Sequence, residues 1–207
     1  MKLFFRTVLL ILCFEIFSSK TFASSENYFI KYKSELSEIE NYLGSIKYLT
    51  ATFIQKSPDG NDVTGKFYLS RPGKMRVDYS DTSKILIIVN NNVLIYQDLE
   101  LDETSYLTTN STPASFLTRE NISFSAKDVE ITEVKKTNST IRVSVEKKNR
   151  KEAGEFSLTF ELNPIKFIKM EVKNDLDQVT LVTFTSADFS NKIDKNLFIV
   201  KNNQLPE

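Results

Sequence analysis

After residue 24, the first apolar residues of the sequence are spaced as on one face of a helix. Apolar side chains recur three or four positions apart from Tyr28 to Ile46, and lysine and glutamate side chains fill the positions between them. This spacing predicts one amphipathic helix of about five turns. Ser24-Ser25 supplies an N-cap, and Gly44 favours an end to the helix. The apolar stripe of such a helix must pack on another element.

The hydrophobic period changes to two after this helix. Apolar and polar side chains alternate through residues 49–54, 63–70 and 74–79, and Pro58-Asp59-Gly60 provides a turn. Similar strands are predicted at 84–90, 93–97, 105–108, 129–136, 140–147, 155–162, 166–173, 178–185 and 197–201. Short strands separated by turns in this way predict one strongly curved antiparallel sheet or open barrel.

One short helix is predicted among the strands. Thr112 is an N-cap residue, Pro113 occupies the first helical position, and the apolar pair Phe116-Leu117 follows. Residues 24–207 contain no internal repeat, low-complexity tract or linker, so we expect a single domain. The predicted fold class is therefore mainly β (α+β).

The position of Arg71 indicates that the amphipathic helix covers an enclosed apolar cavity and does not simply complete a packed core. Side chains alternate along a strand, so Arg71 shares the face of Phe67 and Leu69. A buried guanidinium must satisfy five N–H donors, and an apolar cavity offers few acceptors. The last carbonyls of the helix would accept these bonds, which makes Arg71 a predicted latch. The alternative is that Pro72-Gly73 turns the chain and leaves Arg71 exposed.

The N-terminal residues follow the order of a secretory signal peptide. Lys2 and Arg6 precede an apolar run at 8–17, and small residues lead to Ala23. This order predicts that residues 1–23 are removed and that the remaining chain is exported. A membrane anchor is the alternative, but the apolar run is too short to cross ~30 Å of hydrocarbon.

Composition excludes several kinds of chemistry. Histidine is absent, and Cys13, the only cysteine, lies in the predicted signal peptide. Histidine triads, Cys-His pairs and metal sites with histidine or cysteine ligands are therefore excluded from the exported part. That part carries 24 basic and 26 acidic residues, which does not favour nucleic-acid binding. Enzymes that work through paired carboxylates or lysine remain possible on composition alone.

Two neighbouring runs carry a family resemblance. They are YLTATFIQ at 48–55 and GKFYLSRPGKMR at 65–76, followed by Thr112-Pro113-Ala114 and the apolar pattern at 189–198. Together, in this order, they resemble the LolA family of outer-membrane lipoprotein carriers. The chain departs from the family at Val77, where many relatives have a bulky aromatic residue, and in its short C-terminal tail.

The resemblance implies an incomplete antiparallel barrel, closed by the N-terminal helix and the short inserted helix around an apolar cavity. It implies a periplasmic, monomeric carrier that takes acylated lipoproteins from an inner-membrane ABC transporter to an outer-membrane receptor. Such a carrier needs no cofactor and has no enzymatic activity. The gating arginine of the family corresponds to Arg71. The other implied site residues are Phe53, Phe67, Leu69 and Met75 in the cavity, and Leu36, Ile39 and Leu43 on the helix.

Two other functions remain open at this point. A periplasmic module that senses lipids or lipoproteins without transferring them would use the same fold. A hydrolase would rely on carboxylates such as Asp78, Asp98, Asp102 and Glu103. Acidic residues at strand ends and turns are ordinary solvated groups, and no pattern brings two of these four together.

Overall fold

The chain is mainly β, with one open antiparallel sheet and few helices, which confirms the predicted class. The computed structural model describes residues 25–80, 83–112, 114–149 and 153–200. The predicted signal peptide and its cleavage site lie outside these described residues, as does Pro113 of the predicted inserted helix. Within the described ranges, no helix is both long and apolar enough to cross a membrane.

Within the described ranges the sheet has eleven strands. In chain order they are β1 Tyr48–Lys56, β2 Asp62–Ser70, β3 Lys74–Tyr79, β4 Ile85–Asn90, β5 Val93–Asp98, β6 Glu103–Thr108, β7 Val129–Lys136, β8 Thr140–Lys147, β9 Glu155–Glu161, β10 Lys166–Lys173 and β11 Val179–Asp188. Their order in the sheet is β6-β5-β4-β3-β2-β1-β11-β10-β9-β8-β7. The chain runs outward from β1 to β6, crosses to the opposite edge, and returns to place β11 beside β1. The crossing segment, residues 109–128, carries the short helix α3, Ala114–Leu117.

The N-terminal helix predicted as one element is two helices. They are α1 Ser25–Lys31 and α2 Lys33–Ser45. Tyr32 separates them with φ −116° and ψ 27°, outside the range of a regular helix. α1 contacts β7, whereas the apolar residues of α2 are buried in the main core. The break at Tyr32 therefore divides the predicted helix into a segment beside β7 and a segment whose Leu36, Ile39 and Leu43 are buried in the core.

The predicted strand at 197–201 is wrong. Lys195–Phe198 forms a turn of 3-10 helix, and residue 201 lies outside the described residues. The carboxylate of Asp194 accepts a hydrogen bond from the Asn196 backbone N–H at 3.0 Å, which caps this turn. The turn brings the Phe198 ring into a small apolar cluster on β4.

The two faces of the sheet have different partners. We call the face that carries Phe53, Phe67 and Met75 the inner face, because these side chains belong to the main core with α2. Alternate residues such as Ile54 and Tyr68 lie on the outer face, where the C-terminal segment packs. The inner face is therefore the one that can hold a site between sheet and helices.

Close packing around Gly65 explains why the GKFYLSRP run begins with glycine. It lies directly opposite Phe53 in the β1–β2 ladder, and a methyl group on Gly65 would come within 2.5 Å of the Phe53 ring. We expect Gly65→Ala to displace this ring and lower the free energy of unfolding by about 1–3 kcal/mol. Urea unfolding measures the loss. Gly44→Ala is the control, because nothing lies within 4 Å of a methyl group there, and equal midpoints for both variants would contradict this packing.

Candidate functional site

An apolar cavity of about 350 Å³ opens on the inner face. It lies between β1, β2 and β3 on one side and β10 and β11 on the other. Its apolar wall consists of Phe53, Phe67, Met75, Val77, Ile87, Leu94, Leu117, Phe156, Met170, Val172 and Val182. The polar residues in the wall are Gln55, Tyr79, Thr112 and Thr180. A cavity of this size and lining suits a small or elongated apolar ligand.

The predicted apolar site residues divide into two groups. Phe53, Phe67 and Met75 line the cavity. Four others are at most 2% exposed and lie in the core outside the cavity wall: Leu36, Ile39, Leu43 and Leu69. Among the described residues, no member of α2 lines the cavity. The space therefore lies beside α2 and not directly beneath it.

A row of aromatic rings fills the inner face between the cavity and α2. The Phe67 and Phe184 ring centroids are 5.4 Å apart, and those of Phe184 and Phe167 are 5.2 Å apart. The Phe167 and Phe160 ring centroids are 5.4 Å apart. The Phe160 ring packs edge-on against Tyr42 of α2, with the centroids 6.2 Å apart. These are ordinary distances for attractive aromatic pairs. The row connects Phe67, a cavity wall residue, with the helix.

Arg71 bridges α2 and α3. Its Nη1 donates to the Leu43 carbonyl and, at 3.1 Å, to the Ile46 carbonyl, while its Nε donates to the Leu117 carbonyl at 2.6 Å. Carbonyls at the C-terminal end of a helix lack partners within the helix and favour a cation. We call Arg71 with these three carbonyls the Arg71 bridge. The side chain is half-buried and bonded, not exposed on a bend.

The Arg71 bridge is charged under physiological conditions. Burial lowers the pKa of the Arg71 guanidinium to about 10, which leaves it protonated at neutral pH. Hydrogen bonds from a charged donor are stronger than neutral ones, so the three carbonyls stabilise the buried cation. The role of Arg71 as a latch that opens remains a prediction.

The turn that follows Arg71 is fixed to α3. Gly73 has φ +79°, a conformation that favours glycine, and its N–H donates to the Thr118 carbonyl at 2.8 Å. Its carbonyl accepts from the Asn91 N–H at 2.6 Å. The β2–β3 turn therefore holds Arg71 in a defined position relative to α3.

Two carboxylates hold α2 by polar contacts. Glu40 accepts from the Phe124 backbone N–H at 2.6 Å and from the Ser123 hydroxyl at 3.1 Å. Glu35 pairs with Lys136 of β7 at 2.6 Å. Contacts near the surface contribute little stability each, because water competes for the same groups. These contacts therefore add little to the stability that the buried Leu36, Ile39 and Leu43 give to the position of α2.

Sequence reasoning missed the walls supplied by β10 and β11. Met170, Val172 and Val182 line the cavity, and their alternation along the strands was visible in the sequence. Alternation places such residues on one common face but does not say which face is inner. That assignment depends on the pairing of β11 with β1, which brings Val182 opposite Gln55. Gln55 and Tyr79 were missed because polar residues were not sought in an apolar wall.

A larger recess of about 490 Å³ lies near the irregularity in the β1–β11 pairing. Four of its ten lining residues, Thr52, Thr64, Lys66 and Thr185, are exposed polar residues. Such a lining is that of ordinary surface. The apolar cavity on the inner face is therefore the candidate site.

Comparison with known proteins identifies relatives of the whole chain. The sequence model of the family described as outer membrane lipoprotein carrier protein LolA matches residues 44–201. An uncharacterized protein of Rickettsia prowazekii (strain Madrid E) is 26% identical over 204 residues, which covers 99% of this chain and 89% of that protein. The family match includes every strand of the sheet.

Two solved structures have a similar fold. An uncharacterized conserved protein from Thermus thermophilus aligns with a TM-score of 0.50 at 8% identity, covering 84% of this chain and 96% of that one. A putative outer membrane lipoprotein-sorting protein domain from Vibrio parahaemolyticus has a TM-score of 0.50 at 8% identity, covering 79% of this chain and 94% of that one. At such identities the likeness concerns the fold alone. The family match spans well over half of the sequence, and by it the chain belongs to the LolA family of outer membrane lipoprotein carrier proteins.

Proposed function

We propose that this protein is a periplasmic carrier that shields the acyl chains of lipoproteins in the apolar cavity. In this proposal the open sheet acts as a half-barrel, α3 covers the cavity through Leu117, and α2 lies beside it, joined to α3 by the Arg71 bridge. The observation that carries the proposal is a 350 Å³ apolar cavity beside a charged bridge that ties both helices to the sheet. Membership of the LolA family supports lipoprotein binding in general.

The energetics of an acyl chain in water require such a carrier. Each CH₂ group removed from water contributes about 0.8 kcal/mol, so one long chain represents roughly 10 kcal/mol of unfavourable exposure. The cavity wall offers aliphatic and aromatic side chains from both halves of the sheet. Burial against them would offset much of this exposure while the cargo crosses an aqueous compartment.

Release requires that the cargo is not held too tightly. The Arg71 bridge favours the state in which α2 and α3 are close to the sheet, so cargo that displaces the helices must break it. The free energy spent on breaking the bridge is subtracted from the binding free energy. The bridge therefore lowers the net affinity and makes transfer to a receptor feasible.

The proposed route begins at an inner-membrane ABC transporter and ends at an outer-membrane lipoprotein receptor. The order of residues 1–23, typical of a signal peptide, supports export to the periplasm. We further propose that the carrier is a monomer and works without a cofactor or catalysis. Asp78, one of the four carboxylates considered for a hydrolase, forms an ion pair with Arg76 at 2.7 Å, which is an ordinary structural role.

Native mass spectrometry with a triacylated lipoprotein and its unacylated form tests this proposal. We expect the acylated form alone to bind, because the cavity recognises hydrocarbon. Equal binding of both forms would reject acyl recognition. Acyl-dependent binding without transfer to receptor-containing vesicles would instead favour the sensing module.

A further inference from the structure

A hydrogen-bonded polar pair interrupts the apolar wall of the cavity. The Tyr79 hydroxyl donates to Gln55 Oε1 at 2.7 Å, and both half-buried side chains line the cavity. The Tyr79 ring packs edge-on against Phe53 with centroids 5.5 Å apart, which fixes the direction of the hydroxyl. Polar groups in an apolar wall cost free energy unless their hydrogen-bonding capacity is used. The bond between Tyr79 and Gln55 meets part of this requirement within the wall itself.

The pair lies at one end of the cavity. Gln55 is the last residue but one of β1, and Tyr79 is the last residue of β3. Arg71 follows the end of β2, which is antiparallel to both strands, so the Arg71 bridge lies at the opposite end. Thr180, two positions from the Val182 that faces Gln55, adds a third polar wall residue near the pair. Apart from Thr112 beside α3, the polar residues of the wall are thus grouped at one end of the cavity.

The pair retains unused hydrogen-bonding capacity. Across the described ranges, the Gln55 amide nitrogen has one acceptor, the Ser57 hydroxyl at 3.2 Å. A primary amide carries two N–H donors, so one remains for a ligand. The Tyr79 hydroxyl donates to Gln55, and its oxygen can still accept a bond.

The pair is also uncharged at neutral pH. Burial raises the pKa of the Tyr79 phenol above its ordinary value, and the nearby Tyr96 raises it further to a smaller extent. The hydroxyl therefore keeps its proton. A neutral amide and a neutral phenol match a neutral carbonyl oxygen better than a carboxylate, since a buried anion would need a charged partner. An acyl ester or amide carries such a carbonyl at the head of its hydrocarbon chain.

We propose that Gln55, supported by Tyr79, hydrogen-bonds to the ester or amide carbonyl at the head of an acyl chain in the cavity. The inference rests on the proposed acyl-binding function and adds an element of specificity to it. The remaining N–H of Gln55 donates to the carbonyl oxygen, while Tyr79 holds the amide in the orientation that presents this N–H. Hydrocarbon then extends along the apolar wall towards the Arg71 bridge. The carrier therefore distinguishes acylated cargo from hydrocarbon of the same length.

The test compares two synthetic lipopeptides that differ only in carbonyl oxygens. One carries S-linked glycerol with two palmitoyl esters, and the other carries the corresponding dihexadecyl ether. Affinities are measured with the full exported chain by displacement of a fluorescent fatty probe. We expect the wild type to bind the diester about tenfold more tightly than the diether, the effect of one desolvated hydrogen bond. The double variant Gln55→Leu/Tyr79→Phe should bind both equally.

The double variant keeps the shape of the pair and removes both polar partners, a change that leaves stability nearly unaltered. The milder Tyr79→Phe variant checks the result, because it deletes one hydroxyl and should reduce the preference for the diester. A wild type without preference, or variants that keep the full preference, would overturn the inference while acyl binding stands. Failure of the wild type to bind either lipopeptide would overturn the proposed function and the inference together.

Discussion

Arg71→Leu is expected to slow the release of a bound acylated lipoprotein about tenfold or more, while its uptake changes little. The substitution removes three hydrogen bonds that hold α2 and α3 in place. Opening then costs less free energy, so the cargo is held more tightly. A difference of only 1.4 kcal/mol is about a tenfold change, less than hydrogen bonds from a charged donor usually contribute. The measurement is the time course of transfer of a fluorescent triacylated lipoprotein to receptor-containing vesicles.

Arg71→Lys provides the matched control for the Arg71 bridge. Lysine keeps the charge, but its single nitrogen does not reproduce the two-directional donation of the guanidinium to both helices. We expect release from Arg71→Lys to be intermediate between wild type and Arg71→Leu. Transfer by Arg71→Leu at the wild-type rate would remove Arg71 from the mechanism.

Val182→Phe is expected to lower the affinity for acyl ligands at least about tenfold. Val182 is 6% exposed and lies in the cavity wall on β11. The larger ring projects into the 350 Å³ cavity and takes space that hydrocarbon would occupy. Displacing two methylene groups costs about 1.6 kcal/mol, which is enough for this change in affinity. Titration with a fluorescent fatty probe measures the dissociation constant.

Ile54→Phe is the control for the cavity-filling variant. Ile54 lies on the outer face of β1 and pairs with Thr183, the neighbour of Val182. The Ile54→Phe variant introduces the same ring as Val182→Phe, but at a position that is 37% exposed and away from the cavity. We expect its dissociation constant to equal that of the wild type. Equal affinities for all three proteins would place the acyl chain elsewhere.

Much of the sheet was predictable because strand alternation is a local property. The predicted bounds of β7, β8 and β10 coincide with the observed ones. In β8 and β10 every second residue is apolar or half-buried, β7 alternates as far as Ile131, and turn residues such as Asn163-Pro164 mark the ends. The inserted helix near Thr112 was predictable for the same reason, since an N-cap followed by proline is a local signal. Sequence patterns of this kind need no knowledge of distant contacts.

The N-terminal helix and the C-terminal segment were less predictable because distant partners decide them. The apolar spacing continues through Tyr32, yet the helix breaks there into α1, which packs beside β7, and α2, whose apolar residues are buried in the main core. At the other end, Phe198 has the apolar character of a strand residue but occupies a 3-10 turn that packs on β4. In both cases the local pattern is compatible with two conformations: one helix or two at the N-terminal end, and a strand or a 3-10 turn at the other. Packing against distant residues selects one of them.

The sequence by itself determined the mainly β class, the inserted helix and the face shared by Phe67, Leu69 and Arg71. It did so because alternation, capping and turn residues act within a few positions of the chain. Only the tertiary structure decided that β11 pairs with β1, that the cavity lies beside α2, and that Gln55 meets Tyr79 in its wall. These features join residues far apart in sequence, and their free energies depend on which surfaces come together when the chain folds.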